Sequence, residues 1–253
     1  MKIYENVPRF NEEIDQYPML EEFLLPGENN GCIITCPGGA YWGFAGHERY
    51  VELFNEMGLS VFVLTYRCAP YHYPCQMLDI QRAIKFVRFN AKKFGIDPNK
   101  ILVAGSSAGG HLAASACCHF ETVEVLGDEI DKMSARPDGG VLCYPVISLT
   151  EFCHEDTANN FSGGDWDIRE KYSIQKNVHK DMPPMFVWHT MEDQAVDVRN
   201  VLTLATACKE QGADIELHIF TKGWHGLGDA KDLPNVHQWV GLCKNCLETN
   251  KFI

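Results

Sequence analysis

A serine becomes a nucleophile only when a base takes its proton and an acid orients that base, so the useful question is which serine could meet both. Residues 101–111 read ILVAGSSAGGH. An apolar, strand-like run at 101–104 meets Gly105, Ser106, Ser107, Ala108 and Gly109, a GxSxG pattern with Ser107 at its centre. A serine on a tight strand-to-helix turn is pushed out of its sheet, and the flanking glycines are needed because a Cβ there would meet neighbouring backbone. Ser106 is off centre and has no such claim. The helix expected from 107 to about 118 is rich in small residues (Ala108, Gly109, Gly110, Ala113, Ala114, Ala116), so it can lie close against a sheet. Its first turn would present free N–H groups and a positive dipole end beside Ser107.

Ten histidines compete for the role of base. His225, in KGWHGLG, is best placed because it directly follows a strand pattern ending at Phe220, and loops after strand C-termini face the ligand side of such sheets. His189 also sits at a strand end, but within WHT it is half buried by pattern; His111 fits a packed or capping histidine. His47, His72, His119, His154, His179, His218 and His237 have no context that favours chemistry. For the acid, TMEDQAVD offers Glu192, Asp193 and Asp197, all in the order nucleophile, acid, histidine. Asp193 is the choice, because Asp197 is placed to cap the following helix; Glu192 is the fallback. Attack on a carbonyl also needs donors for the oxyanion. PGGAYWG follows the strand at 32–36, and its glycines can turn backbone N–H groups inward, so Gly39 or Ala40 with the N–H of Ala108 would form the hole. No lysine follows Gly110 and no GxGxxG occurs, so these glycines do not make a nucleotide site.

The elements that must carry these residues follow from periodicity. Residues 32–36, 61–66, 101–104, 141–147 and 185–189 are apolar throughout, as expected of parallel strands buried on both faces. Ile215, Leu217 and Ile219 alternate with polar residues, which suits a strand nearer the edge, and 20–25 is expected to add antiparallel pairing at one edge. Met77, Ile80, Ile84 and Val87 mark a helix stopping by Gly95. Val198, Val201, Leu202, Ala205 and Cys208 mark a second, ending at Gly212, and Val236, Val240, Cys243 and Leu247 a closing one. Strand and helix alternate from about residue 31, which predicts one α/β domain over 1–253, with a mostly parallel central sheet flanked by helices on both faces. Residues 148–183 break the alternation with polar groups, Gly163–Gly164 and scattered aromatics, and are expected to form a short lid over the site.

Composition narrows the partners. The chain is 253 residues long with 34 acidic against 22 basic residues, a net charge of −12, which disfavours nucleic acid and anionic membranes as partners. No apolar run is long enough for a membrane span, and the first residues lack the apolar core of a secretory signal. Eleven scattered cysteines read as reduced thiols, so a cytoplasmic location is expected. Cys243 and Cys246 form a lone CxxC inside a helical pattern, read as a surface coincidence rather than a zinc site.

The set CPGGAYW, YRCAPYHYP, FGIDPNKILVAGSSAGGHLA, PPMFVWHTMEDQAV and KGWHGLG resembles the α/β-hydrolase superfamily, and most closely the esterases grouped with acetylxylan esterases and other carbohydrate acetyl esterases. The resemblance spans about residues 31–247. It implies an α/β-hydrolase fold, Ser107 as nucleophile, His225 as base, Asp193 as acid, and Gly39, Ala40 and Ala108 at the oxyanion hole. Pro37 stands where many relatives have the histidine of HGGG, and Asp197 where a proline often follows DxxV; Asp79 matches the pattern as a structural residue. The expected reaction is hydrolysis of short acyl esters, foremost acetyl esters of sugars such as xylo-oligosaccharides, with no metal or organic cofactor. Tyr41, Trp42, Trp166 and Trp224 are the expected substrate contacts, the tryptophans as stacking faces. GGAYW also resembles the GGYW of arylformamidases, which keeps an amide hydrolase as a rival. A binding module without catalysis is a further one, disfavoured by the complete triad.

Overall fold

The computed structural model describes residues 1–45 and 48–253; His47 lies outside them. Seven strands form one sheet in the order β1-β3-β2-β4-β5-β6-β7. β1 (Met19–Phe23) pairs antiparallel with β3 at the edge, as the pattern at 20–25 predicts. The strands β2 (Asn30–Cys36), β3 (Ser60–Thr65), β4 (Ile96–Ser106), β5 (Gly139–Cys143), β6 (Met185–Thr190) and β7 (Ile215–Phe220) are mutually parallel.

Alternation along these strands feeds two apolar layers. Cys32, Ile34, Phe62, Leu64, Ile101, Val103, Leu142 and Val187 face one layer, and Ile33, Val61, Val63, Leu102, Ala104, Val141, Phe186 and Trp188 the other. Side chains of successive strand residues point to opposite faces, so apolar residues throughout demand cover on both. The second layer is covered by α1 (Glu48–Glu56), through Tyr50, Val51 and Phe54. The first layer is covered by α2 (Cys75–Phe89) and the short α3 (Ala91–Phe94), which ends on Gly95 at φ +67°. It is also covered by α4 (Ala108–Cys118), which is buried along its whole length. Two short helices, α5 (Glu155–Ser162) and α6 (Trp166–Lys171), follow β5. α7 (Arg199–Gln211) covers the first layer and ends on Gly212 at φ +72°. The four-residue α8 (Pro234–His237) and α9 (Trp239–Thr249) close the second layer with Val236, Trp239, Cys243 and Leu247.

Two differences from the sequence expectations bear on the site. The strand expected over 141–147 ends at Cys143, and Tyr144 turns the chain at φ +37°. From there the chain passes Ser107, with Val146 N–H donating to the Ser107 carbonyl at 3.1 Å and Ile147 and Ser148 N–H donating to Asn200 Oδ1 at 2.9 Å. The expected lid at 148–183 carries two short helices and is packed down: Ala158, Phe161, Tyr172 and Ile174 are buried in the first apolar layer. His154 and Asp165 accept N–H groups at the starts of α5 and α6, and Gly163 ends α5 at φ +66°.

Candidate active site

β2 is hydrogen-bonded to β3 on one side and β4 on the other, and the chain leaves β2 for β3 but leaves β4 for β5, so the connections leaving β2 and β4 diverge. The crevice outside the C-termini of β2 and β4 is therefore the switch point of the sheet, where open α/β sheets hold their ligands. Ser107 follows β4 there, at φ +54° and ψ −122°. A non-glycine residue in that conformation costs on the order of 1–3 kcal/mol and persists only where its surroundings impose it. Here Ser107 N–H donates to the Cys143 carbonyl, and the Ser107 carbonyl accepts from His111 N–H, each at 3.1 Å. The flanking glycines are required by contact: a Cβ on Gly105 would lie 2.1 Å from the Gly109 carbonyl oxygen, and one on Gly109 would lie 2.0 Å from that of Cys36.

His225 reaches Ser107 from the loop after β7. Its Nε2 is 2.8 Å from Ser107 Oγ, and its Nδ1 is 2.6 Å from Asp193 Oδ2. A carboxylate only accepts, so Nδ1 carries the proton and Nε2 offers its lone pair to the serine hydroxyl. Asp193 follows β6, and its Oδ1 accepts the N–H groups of Ala195 and Val196 at 2.9 Å. Burial pushes the Asp193 carboxyl up, but the hydrogen bonds from His225 and Val196 prevail and hold it below the usual carboxylate range. The chain thus brings together the serine, acid and histidine singled out by the motifs.

The competing residues go elsewhere. Glu192 pairs with Lys222 at 2.5 Å on the surface, and Asp197 Oδ1 accepts Arg199 N–H at 2.8 Å at the start of α7. His189 is buried within β6, with Nδ1 accepting from Thr190 N–H at 2.9 Å. His111 lies wholly inside, between Tyr41 and Tyr172. Asp79 is buried against Arg67, with Arg67 Nη2 2.7 Å from its Oδ1. Cys243 is buried in α9, and among the described residues no group of three His, Cys, Asp or Glu side chains is arranged to hold a metal.

A cleft of about 540 Å³ opens over Ser107 and His225, walled by Gly39, Ala40, Tyr144, His154 and Arg49 among others. Among the described residues no protein acceptor engages the N–H groups of Gly39, Ala40 or Ala108. A second depression of about 880 Å³ shares His225 and includes Trp224, Met191 and Lys222.

Tyr41 corrects the sequence expectation of a substrate contact: it is fully buried, and its hydroxyl meets His111 Nδ1 at 2.8 Å. Trp42 and Trp166 are exposed, at 74% and 55%, but do not wall the cleft. Trp224 is exposed beside His225. Tyr144, Arg49 and His154 are among the cleft residues that were not predicted. Tyr144 sets its ring edge-on to His225 at 5.0 Å and accepts Gly228 N–H at 3.2 Å, which supports the loop carrying the histidine. Burial drives its hydroxyl up to about 12, so it is neutral at physiological pH. Arg49 pairs with the buried Asp229 at 3.5 Å. His154 arrives as the cap of α5, and the acidic Glu155–Asp156 after it is the only sequence signal of that helix start.

Comparison with known proteins gives the site its family. The BD-FAE family model matches residues 26–207. Endo-1,4-beta-xylanase B of Butyrivibrio fibrisolvens is 36% identical over 211 residues, which are 79% of this chain and 33% of that protein. An acetylxylan esterase of Xylanibacter ruminicola is 31% identical over 216 residues, 81% of this chain and 43% of that protein. The chain therefore spans less than half the length of these two relatives. The crystal structure of an acetyl ester-xyloside bifunctional hydrolase from Caldicellulosiruptor lactoaceticus superposes with a TM-score of 0.96 at 42% identity, covering 100% of this chain and 96% of that one. Fold and relatives define an α/β-hydrolase. The chain belongs to the BD-FAE family.

Proposed function

We propose that the protein is a serine esterase that removes short acyl groups, foremost acetyl, from carbohydrate esters such as acetylated xylo-oligosaccharides. The observation that carries the chemistry is the continuous chain from Ser107 Oγ through His225 to Asp193, with links of 2.8 and 2.6 Å. In this reading His225 Nε2 takes the Ser107 proton as Oγ attacks the ester carbonyl, and Asp193 stabilises the imidazolium that forms. The N–H groups of Gly39 or Ala40 and of Ala108 receive the oxyanion. His225 then gives its proton to the sugar oxygen as its bond to the acyl carbon breaks, freeing the sugar as a hydroxyl, and water, activated by the same histidine, releases acetate from the acyl-enzyme. No step needs a metal or an organic cofactor.

The carbohydrate is supported by the relatives, an acetylxylan esterase and an acetyl ester-xyloside bifunctional hydrolase, and by Trp224 as an exposed face beside His225. Trp42 and Trp166 would meet a saccharide only where it extends beyond the cleft. All eleven cysteines are unpaired, and no described helix is long and apolar enough to cross a membrane. The free thiols support a reducing, cytoplasmic location.

The test is a substrate panel. Acetate release from acetylated xylo-oligosaccharide is expected to exceed hydrolysis of an N-formyl aromatic amide, and activity on p-nitrophenyl esters to fall sharply beyond butyrate. Ser107→Ala should abolish all of it with the melting temperature preserved. Preference for the formyl amide would favour the arylformamidase reading, and failure of a serine-directed phosphonate to label the wild-type protein would favour a binding module.

A further inference from the structure

We propose that Tyr41 and His111 are positioning residues for the oxyanion donors: a buried hydrogen-bond chain through them holds the Gly39–Ala40–Tyr41 turn in register with Ser107. The proposal rests on the reading of Ser107 as nucleophile.

The turn is strained. Gly39, Ala40 and Tyr41 have φ of +131°, +52° and +57°, and two of them carry a side chain. Left-handed conformations at non-glycine residues are stored strain that the surroundings must impose. Gly39 itself admits no side chain, since a Cβ would sit 2.3 Å from the Gly43 carbonyl oxygen. Backbone contacts supply part of the restraint. The Tyr41 carbonyl accepts Ala69 N–H at 2.7 Å, and the Ala40 carbonyl accepts Asn160 Nδ2 at 2.9 Å.

Side chains supply the link to the nucleophile. Tyr41 Oη lies 2.8 Å from His111 Nδ1, and His111 Nε2 lies 2.9 Å from the Tyr172 carbonyl oxygen. A carbonyl can only accept, so Nε2 bears the proton. The neutral ring then has its lone pair at Nδ1, and the Tyr41 hydroxyl must be the donor. Burial pulls the His111 imidazole down to about 4, which keeps it neutral at physiological pH. His111 N–H also donates to the Ser107 carbonyl at 3.1 Å. One residue of α4 thus bonds both the backbone of the nucleophile and the side chain of the turn that carries the donors. Donors must stand about 2.7–3.1 Å from the oxyanion, so a shift of a few tenths of an ångström between turn and serine weakens the transition state more than the bound ester.

Tyr41→Phe tests this, because the ring can keep its edge contacts with Tyr66 and His111 while the hydroxyl is lost. On p-nitrophenyl acetate kcat is expected to fall about tenfold to a hundredfold, short of the hundredfold to thousandfold that follows complete loss of one donor, with KM within about twofold. Amide exchange at Trp42 and Gly43, whose N–H groups bond the Gly39 carbonyl at 2.8 and 3.3 Å, should quicken. Tyr4→Phe is the control: it removes another buried hydroxyl, 2.8 Å from the Leu78 carbonyl and far in role from the site, and should lower stability while leaving kcat unchanged. A Tyr41→Phe enzyme with wild-type kcat, or with reduced kcat and unchanged exchange over 39–43, overturns the proposal. Absence of esterase activity in the wild type would instead defeat the proposed function, and the exchange measurement would still decide whether the hydroxyl holds the turn.

Discussion

Asp193 is the residue whose environment does most to prepare His225. Its side chain is shut away from solvent, yet it stays ionised because three N–H groups converge on it, one from the imidazole and two from the backbone. Asn at this position would keep the shape and lose the charge, and its amide can offer an N–H where Nδ1–H requires an acceptor. Asp193→Asn is therefore expected to cut kcat on p-nitrophenyl acetate by about 10⁴-fold, the size seen when a serine-hydrolase histidine is held in the wrong tautomer, with little change in KM. A loss smaller than about tenfold would show that Asp193 does not orient the base.

Among elements, the joint between the end of β3 and α2 rests on one buried ion pair. Arg67 donates from its backbone N–H and Nε to Asp79 Oδ2 at 2.9 and 3.0 Å and from Nη2 to Oδ1 at 2.7 Å, and both side chains are fully buried. Removing one partner strands a charge in the interior, so Asp79→Ala should cost about 3–5 kcal/mol in urea unfolding. Replacing both with apolar residues of similar volume should restore most of that loss. A destabilisation below about 1 kcal/mol for Asp79→Ala would contradict this account.

The same scale shows what could be read from residue order and what could not. Central strands and the long helices α2, α7 and α9 were legible because each carries its own periodic signal, and Gly95 and Gly212 end helices as left-handed caps. The strand after 139 was read too long because Tyr144, Val146 and Ile147 are as apolar as a strand, yet they are buried by passing beneath Ser107 rather than by pairing. α5 and α6 have 8 and 6 residues, too short for a stripe to stand out. No expectation covered α1, although Tyr50, Val51, Phe54 and Met57 carry a helical stripe. The convergence of Ser107, Asp193 and His225 was legible through motif and chain order. Tyr41 was misread because nothing local distinguishes an aromatic that turns inward from one that faces a ligand.

For the molecule as a whole, acid is the expected weakness. Burial brings His111 and His119 down to about 4 in the folded chain, whereas an unfolded histidine titrates near 6.5. Between those values the unfolded state binds more protons, so stability is unaffected above about 6.5 and falls as pH drops toward 4. For the fully buried His111 the loss approaches about 3 kcal/mol across that window; His119 is partly exposed and adds less. Urea midpoints should decline steadily from pH 6.5 to 4.5. Asp193, held below its usual range, titrates at lower pH and does not enter this window. A flat profile there would mean that the interior relaxes to admit the proton.

The packed segment at 148–183 has a consequence for anyone who would re-engineer the protein. It is the natural piece to exchange when a different substrate is wanted, since its His154 walls the cleft. Yet Asn160 donates to the Ala40 carbonyl, and the Tyr172 carbonyl accepts the hydrogen bond from His111 Nε2–H. A transplanted loop would thus bring foreign anchors to the donor turn along with its new wall. Grafts that retain an amide at 160 and the backbone path at 172 should keep turnover while shifting preference; grafts that discard both should lose rate on every ester alike.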